Sequence, residues 1–298
     1  MATSTTTVNE GTQRKDNWQL APLLTFLGFS TFIVYATFRA FQNDWFMVPG
    51  TQYLSPMYSP YMPDVLEFLG IRIPQLEKVT AHGGLGWILS PALLILWAPA
   101  GFRSTCYYYR KAYYRSFFGS PSACAVGNKA GNPLFDIENA TLGRLLGLGK
   151  KYTGERSFPL VLQNLHRYFF YVAALFILIL AYDAFASYFM PGYAGLRVAL
   201  GSLVFTVNVA LLALYTFGCH SWRHLLGGKT DCWSSCGMVG EARHHAWQRQ
   251  SILNEHHMLF AWLSLFTVGF ADLYVFLVSK GIWTDPVFFQ MTWQQIFG

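Results

Sequence analysis

Apolar residues fall along this chain in runs too long for a soluble core, separated by polar stretches that carry most of the charge. Crossing the roughly 30 Å hydrocarbon layer takes about 20 mostly apolar residues. Five runs reach that length, at about 20–41, 83–102, 168–190, 196–217 and 257–277. In lipid a helix satisfies its own backbone groups, so each run is expected as a transmembrane helix. The pattern predicts an all-α polytopic membrane protein with five transmembrane helices, forming a single membrane-anchor domain over residues 1–298. Five spans put the termini on opposite sides.

The polar stretches differ in character. Residues 42–80 are rich in Pro, Tyr and Met (YLSPMYSPYMP) and are expected as an ordered aromatic cap on the outer interface. The segment 101–159 opens with FRSTCYYYRKAYYRSFFGSPSACAVGN, where rings alternate with Arg and Lys at helical spacing. That is the composition of an amphipathic segment lying in the headgroup plane. The opening MATSTTTVNEGTQRKDNW lacks a small-residue cleavage site, so the first run is expected to be retained as a helix. No internal repeat is visible, and a repeat is what a transporter commonly shows.

Composition and charge narrow the class. The chain is 53% hydrophobic and only 12% charged, about half the charge of an ordinary soluble domain. With the N-terminus inside, 16 of the 21 Lys and Arg residues fall in inner segments, which orients the protein by the positive-inside rule. The formal charge of +6 is therefore a topology signal and points to no nucleic-acid partner. The expected location is the cell membrane, with a cytoplasmic N-terminus, cytoplasmic segments 101–159 and 218–256, and the C-terminus outside.

Soft metal ligands cluster on the inner side. All five cysteines (Cys106, Cys124, Cys219, Cys232, Cys236) and seven of the eight histidines are expected there, with His82 alone facing out. A reducing compartment disfavours disulfides. The residue pattern leaves several options open. Cys232 and Cys236 follow His220 and His224 by 12 residues, which suits a zinc site on a transporter or structural anchor. A haem b could sit between two of His166, His220 and His257. A two-cysteine, two-histidine cluster of the Rieske type would have a raised potential, as suits a donor to quinone. Asp183 and Asp272 stand inside runs, where ionisable residues are costly and often functional.

Four stretches, TCYYYRKAYYRSFFGSPSACAV, KYTGERSFPLVLQNLHRYFFY, CHSWRHLLGG and NEHHMLFAWLSLFTVGFADLYV, resemble the membrane-anchor subunit of type F succinate dehydrogenases. The resemblance runs from about Asn17 to the C-terminus. It implies a haem-free five-span anchor that works with flavoprotein and iron–sulfur subunits and carries a Rieske-type [2Fe–2S] cluster. Menaquinone is the expected acceptor, and membrane lipids are expected neighbours. Cys106, Cys124, Cys219, His166, His220, His224 and His257 stand in the matching stretches and are the candidate ligands. The family motif often has a Cys where this chain has Trp222, which removes that position as a ligand. Tyr107, Tyr108, Tyr109, Arg110, Tyr168 and Trp222 offer the rings and polar tips a quinone needs; of these, Tyr107, Tyr108, Arg110, Tyr168 and Trp222 are the expected quinone contacts.

Overall fold

A computed structural model describes residues 20–71, 90–118, 156, 158, 160–228, 233 and 237–297. The chain runs through α1 (Leu20–Gln42), α2 (Met62–Phe68), α3 (Pro91–Ser104) and α4 (Tyr107–Phe118). A 3-10 turn, Leu160–Leu165, leads into α5 (His166–Ala186), followed by β1 (Gly195–Ala199), α6 (Leu200–Phe217) and α7 (His220–Gly227). The last elements are α8 (Gly237–Glu255), α9 (His257–Ser279), β2 (Val287–Thr292) and α10 (Trp293–Phe297).

Among the described residues four stretches are long and apolar enough to cross a membrane: Leu20–Gln42, Leu160–Ala186, Leu200–Phe217 and His257–Ser279. The expected run 83–102 is described only from residue 90. Its helix α3 has 14 residues, a rise of about 21 Å, and residues 83–89 lie outside the described residues. Two boundaries also move. Helix α5 starts at His166 and stops at Ala186, because Ser187 caps it through Asp183 O and the Pro191–Gly192 turn, with φ +77 at Gly192, breaks the run.

The second correction is to the all-α expectation. Residues Gly195–Ala199 pair antiparallel with Val287–Thr292, from Gly195 opposite Thr292 to Ala199 opposite Val287. The helix expected from 196 therefore begins at Leu200, whose N–H bonds Pro286 O at 3.0 Å. The partner strand lies some 90 residues downstream, so no local pattern announces it.

Helix α9 packs on α6 and α6 on α5, and α1 joins this core through Phe29, whose ring meets Trp262 at 4.7 Å. Helix α4 lies along α1, with Phe26 against Phe117 at 4.8 Å and Phe29 against Tyr109 at 5.5 Å. It is thus amphipathic as expected, but it buries Tyr109 and Arg110 and leaves Lys111 and Arg115 exposed. Gly101 lets α3 meet α5: a Cβ there would stand 2.3 Å from the Phe169 ring.

Of the stretch 42–80 expected as an aromatic cap, residues 43–61 close one end of the bundle with Tyr53, Met57 and Tyr58 buried, and residues 72–80 lie outside the described residues. Among the described residues, two ion pairs anchor that end. Asp272, fully buried, accepts from Arg39 Nε at 2.7 Å, Tyr35 Oη at 2.5 Å and Ser55 Oγ at 2.5 Å. Arg197 pairs with Asp285 at 3.1 Å, and Asp285 also accepts from Tyr53, Tyr274 and the Gly201 N–H. Asp183 accepts from Ser59 Oγ of the cap. Both in-span aspartates are therefore tied to the cap by hydrogen bonds.

Candidate functional site

At the opposite end of the bundle, four sequence-distant segments meet around one polar cavity of about 640 Å³. Cys106 comes from the α3–α4 junction, His166 from the start of α5, His220 from the start of α7 and His257 from the start of α9. Each of the four lines the cavity, as do Thr105, Tyr107, Tyr108 and Arg167. Helix starts supply these side chains because each apolar run stops where the chain turns, and the polar residues fall just outside it.

The two described thiols share a setting. Cys106 precedes α4, and Cys219 caps α7, accepting from the Trp222 N–H at 3.5 Å. Both are buried in the same apolar cluster. Burial pushes the Cys106 thiol up and the Cys219 thiol up to about 11. Backbone N–H groups of Tyr109 and Tyr108 on one thiol, and of Trp222 and Ser221 on the other, pull back toward the thiolate. The thiols are thus neutral alone, with helix N-termini in place to favour the anion when a cation arrives.

The imidazoles are oriented by their neighbours. Thr105 Oγ1 gives its proton to Gly101 O at 2.7 Å, so it accepts from His166 Nδ1 at 3.2 Å. That fixes the tautomer and leaves Nε2 of His166 with its lone pair, the arrangement usual for a metal-binding histidine. His257 Nε2 lies 3.7 Å from Cys106 Sγ, while its Nδ1 is buried with no partner among the described residues. Aromatic rings cover both: Phe102 stacks on His166 at 4.6 Å and Tyr215 on His257 at 4.9 Å.

Among the described residues no three His, Cys, Asp or Glu side chains already meet at coordination distance. The donor set nonetheless fits a mixed thiolate–imidazole group, with two buried thiols, three imidazoles and one orphaned ring nitrogen at a single end of the bundle. His224 is set apart: its exposed ring lies over Gly228, one turn beyond the cavity. Cys124, Cys232, Cys236 and His82 lie outside the described residues.

The aromatic candidates divide in the same way. Tyr107 and Tyr108 line the cavity, and Tyr108 Oη accepts from Trp262 Nε1 at 2.8 Å. Arg110 is held over the Tyr107 ring at 4.9 Å. Trp222 stacks on Phe170 at 5.8 Å, away from the cavity wall, and Tyr168 is 63% exposed. Sequence reasoning missed Thr105, Arg103 and Tyr215. Arg103 lies in an expected inner segment as one basic residue among many, yet it bonds Tyr109 Oη at 2.5 Å, Ala261 O at 3.2 Å and Ser264 Oγ at 3.0 Å. Its place one turn before Cys106 was the available signal.

A sequence family described as actinobacterial succinate dehydrogenase subunit SdhC matches residues 20–281. No curated protein matches the chain. Among solved structures, a chain of the Mycobacterium smegmatis Sdh1 complex in the apo form is 40% identical, with a TM-score of 0.72 over 93% of this chain and 94% of that one. With a family match over most of the chain and a homologous structure over nearly all of it, the chain belongs to the SdhC family of succinate dehydrogenase membrane subunits.

Proposed function

We propose that this chain carries electrons from succinate oxidation to a quinone, menaquinone being the expected one, as the membrane anchor of a succinate:quinone oxidoreductase. Its similarity to a chain of a multi-subunit succinate dehydrogenase complex supports flavoprotein and iron–sulfur partners. As an SdhC membrane subunit, it carries no succinate site of its own. The reading includes five spans in the cell membrane, with the N-terminus cytoplasmic and the Cys/His end facing the soluble partners. The excess of basic residues in the segments at that end supports this orientation.

The observation that carries the proposal is the meeting of Cys106, His166, His220 and His257 at one cavity, with Cys219 buried beside it. These residues would hold a Rieske-type [2Fe–2S] cluster, with Cys124 as a further thiol of the same stretch. Such a cluster supplies one-electron transfer at a potential raised by imidazole ligation. The chain's own contribution is to position and exclude. Thr105 orients the His166 ring through Nδ1, so that Nε2 would be free to bind the group, backbone N–H groups would offset thiolate charge, and Phe102 and Tyr215 cover the two ring faces.

The test is low-temperature electron paramagnetic resonance of the purified complex poised with succinate, repeated on His257→Ala. The expected result is a rhombic Rieske-like signal that is lost in the variant together with quinone reduction. A low-spin haem spectrum, or protein that holds zinc and no extra iron, would overturn the reading.

A further inference from the structure

Arg39 and Arg197 each close an ion pair with a carboxylate, at 2.7 Å to Asp272 and 3.1 Å to Asp285. Arg103 does not. Among the described residues it bonds only neutral groups, Tyr109 Oη at 2.5 Å, Ala261 O at 3.2 Å and Ser264 Oγ at 3.0 Å. Tyr109 Oη in turn donates to Ala261 O at 2.5 Å, and burial pushes that phenol up to about 12, so it stays neutral beside the guanidinium. An arginine keeps its proton in any protein setting. A full positive charge therefore sits half-buried at the Cys/His end without a counter-charge among the described residues, which is costly unless something held there supplies one.

The same residue is joined to two of the candidate ligands. Its carbonyl accepts from the Cys106 N–H at 3.2 Å, one turn along the chain. Its guanidinium lies 4.6 Å from the centroid of the Tyr215 ring, which stacks on the His257 ring at 4.9 Å and 13°. The charge therefore lies within about 10 Å of that imidazole, by way of a buried ring, and there one unit charge at an effective dielectric of about 20 shifts a one-electron equilibrium about tenfold. The two other charged side chains on the cavity wall, Arg167 and Glu255, are exposed and of opposite sign, so solvent and salt screen them.

We infer that Arg103 raises the reduction potential of the group held by Cys106 and His257, by presenting a fixed positive charge that favours its reduced form. A centre that gains one electron becomes one unit more negative, and a cation in a low-dielectric setting stabilises that state over the oxidised one. Arg103 is a positioning residue in this role and no ligand. Its bonds to Ala261 and Ser264 on α9 and to Tyr109 on α4 hold the charge in place. The inference rests on the proposed Rieske-type cluster, and the test separates the two.

The experiment is a potentiometric titration of the reduced-state resonance signal in the whole complex with redox mediators, which requires no turnover. Arg103→Gln is expected to lower the midpoint by about 59 mV, the one-electron equivalent of a tenfold shift, with the signal per complex unchanged. Arg103→Lys keeps the charge and should stay near the parent. Arg249→Gln removes the same charge from an exposed position on α8 and should leave the midpoint where it was. If Arg103→Gln fails to assemble, Ser264→Asp keeps the arginine and sets a carboxylate where Ser264 Oγ now accepts from it at 3.0 Å; the same lowering is expected. A midpoint equal to the parent's in the neutralised variant overturns the inference. So does an equal fall in Arg103→Lys and Arg103→Gln, which would make Arg103 a tie between helices and nothing more. A parent complex without a Rieske-like signal overturns the cluster reading and this inference together, whereas a signal whose midpoint ignores Arg103 overturns this inference alone.

Discussion

The two ends of the bundle treat buried polar atoms in opposite ways. At the cap end, Asp272 and Asp285 have every reach filled, by Arg39, Tyr35 and Ser55 on one and by Arg197, Tyr53, Tyr274 and the Gly201 N–H on the other. At the Cys/His end, among the described residues, His257 Nδ1 is buried without a partner beside the cavity, and the nearby guanidinium of Arg103 has no carboxylate. The cap end is not wholly saturated, since among the described residues Arg197 Nη1 is buried without a partner, but neither it nor Asn208 Oδ1 lines the Cys/His cavity. A saturated network holds elements together; an unsaturated one beside open volume is built to receive something. The cap end is thus the structural end, although its two in-span aspartates were the residues that hydropathy alone marked as functional.

That contrast can be broken by perturbing each end and reading both stability and electron transfer. The largest effect on stability is expected from Asp272→Ala, which strands the Arg39 guanidinium in the core. Breaking a buried pair in this way costs about 3–5 kcal/mol, seen as a lower thermal midpoint of the detergent-solubilised complex. Electron transfer per assembled complex, and its pH profile, should remain. A changed pH profile would instead place Asp272 on a proton path.

Cys106→Ala should do the reverse. Even residues that only support metal ligands cost about 10–100-fold when removed, so quinone reduction should fall by at least that factor, with a thermal midpoint near that of the parent. Thr105→Val then sharpens the account of the Cys/His end. It removes the acceptor that orients His166, and a loss of about tenfold in iron retention under a chelator is expected. Retention equal to the parent would mean that the Thr105 contact is packing only.

The smallest effect belongs to Tyr53→Phe. It deletes one of several hydrogen bonds to Asp285, worth about 1 kcal/mol, and should leave the resonance signal and KM untouched. A measurable shift in either would show that the cap and the Cys/His end are coupled.

The hydropathy pattern by itself determined that this is a helical membrane protein and located Leu20–Gln42, most of α5 and α6, and His257–Ser279. It could do so because a helix in lipid satisfies its hydrogen bonds within one local segment, so the information is local too. The gathering of Cys106, Cys219, His166, His220 and His257 toward one end was also legible, since it follows from their positions at the ends of the apolar runs. Tertiary structure decided the rest, because each remaining feature joins residues far apart in sequence. Cys106 meets His257 across 151 positions and Arg39 meets Asp272 across 233. The pairing of β1 with β2 consumed residues that hydropathy had assigned to a helix. The four-residue spacing of His220 and His224 suggested one shared face, yet only His220 reaches the cavity, because α7 is short and its second turn folds over Gly228. Periodicity says which residues share a side of one helix, and only packing says what that side faces.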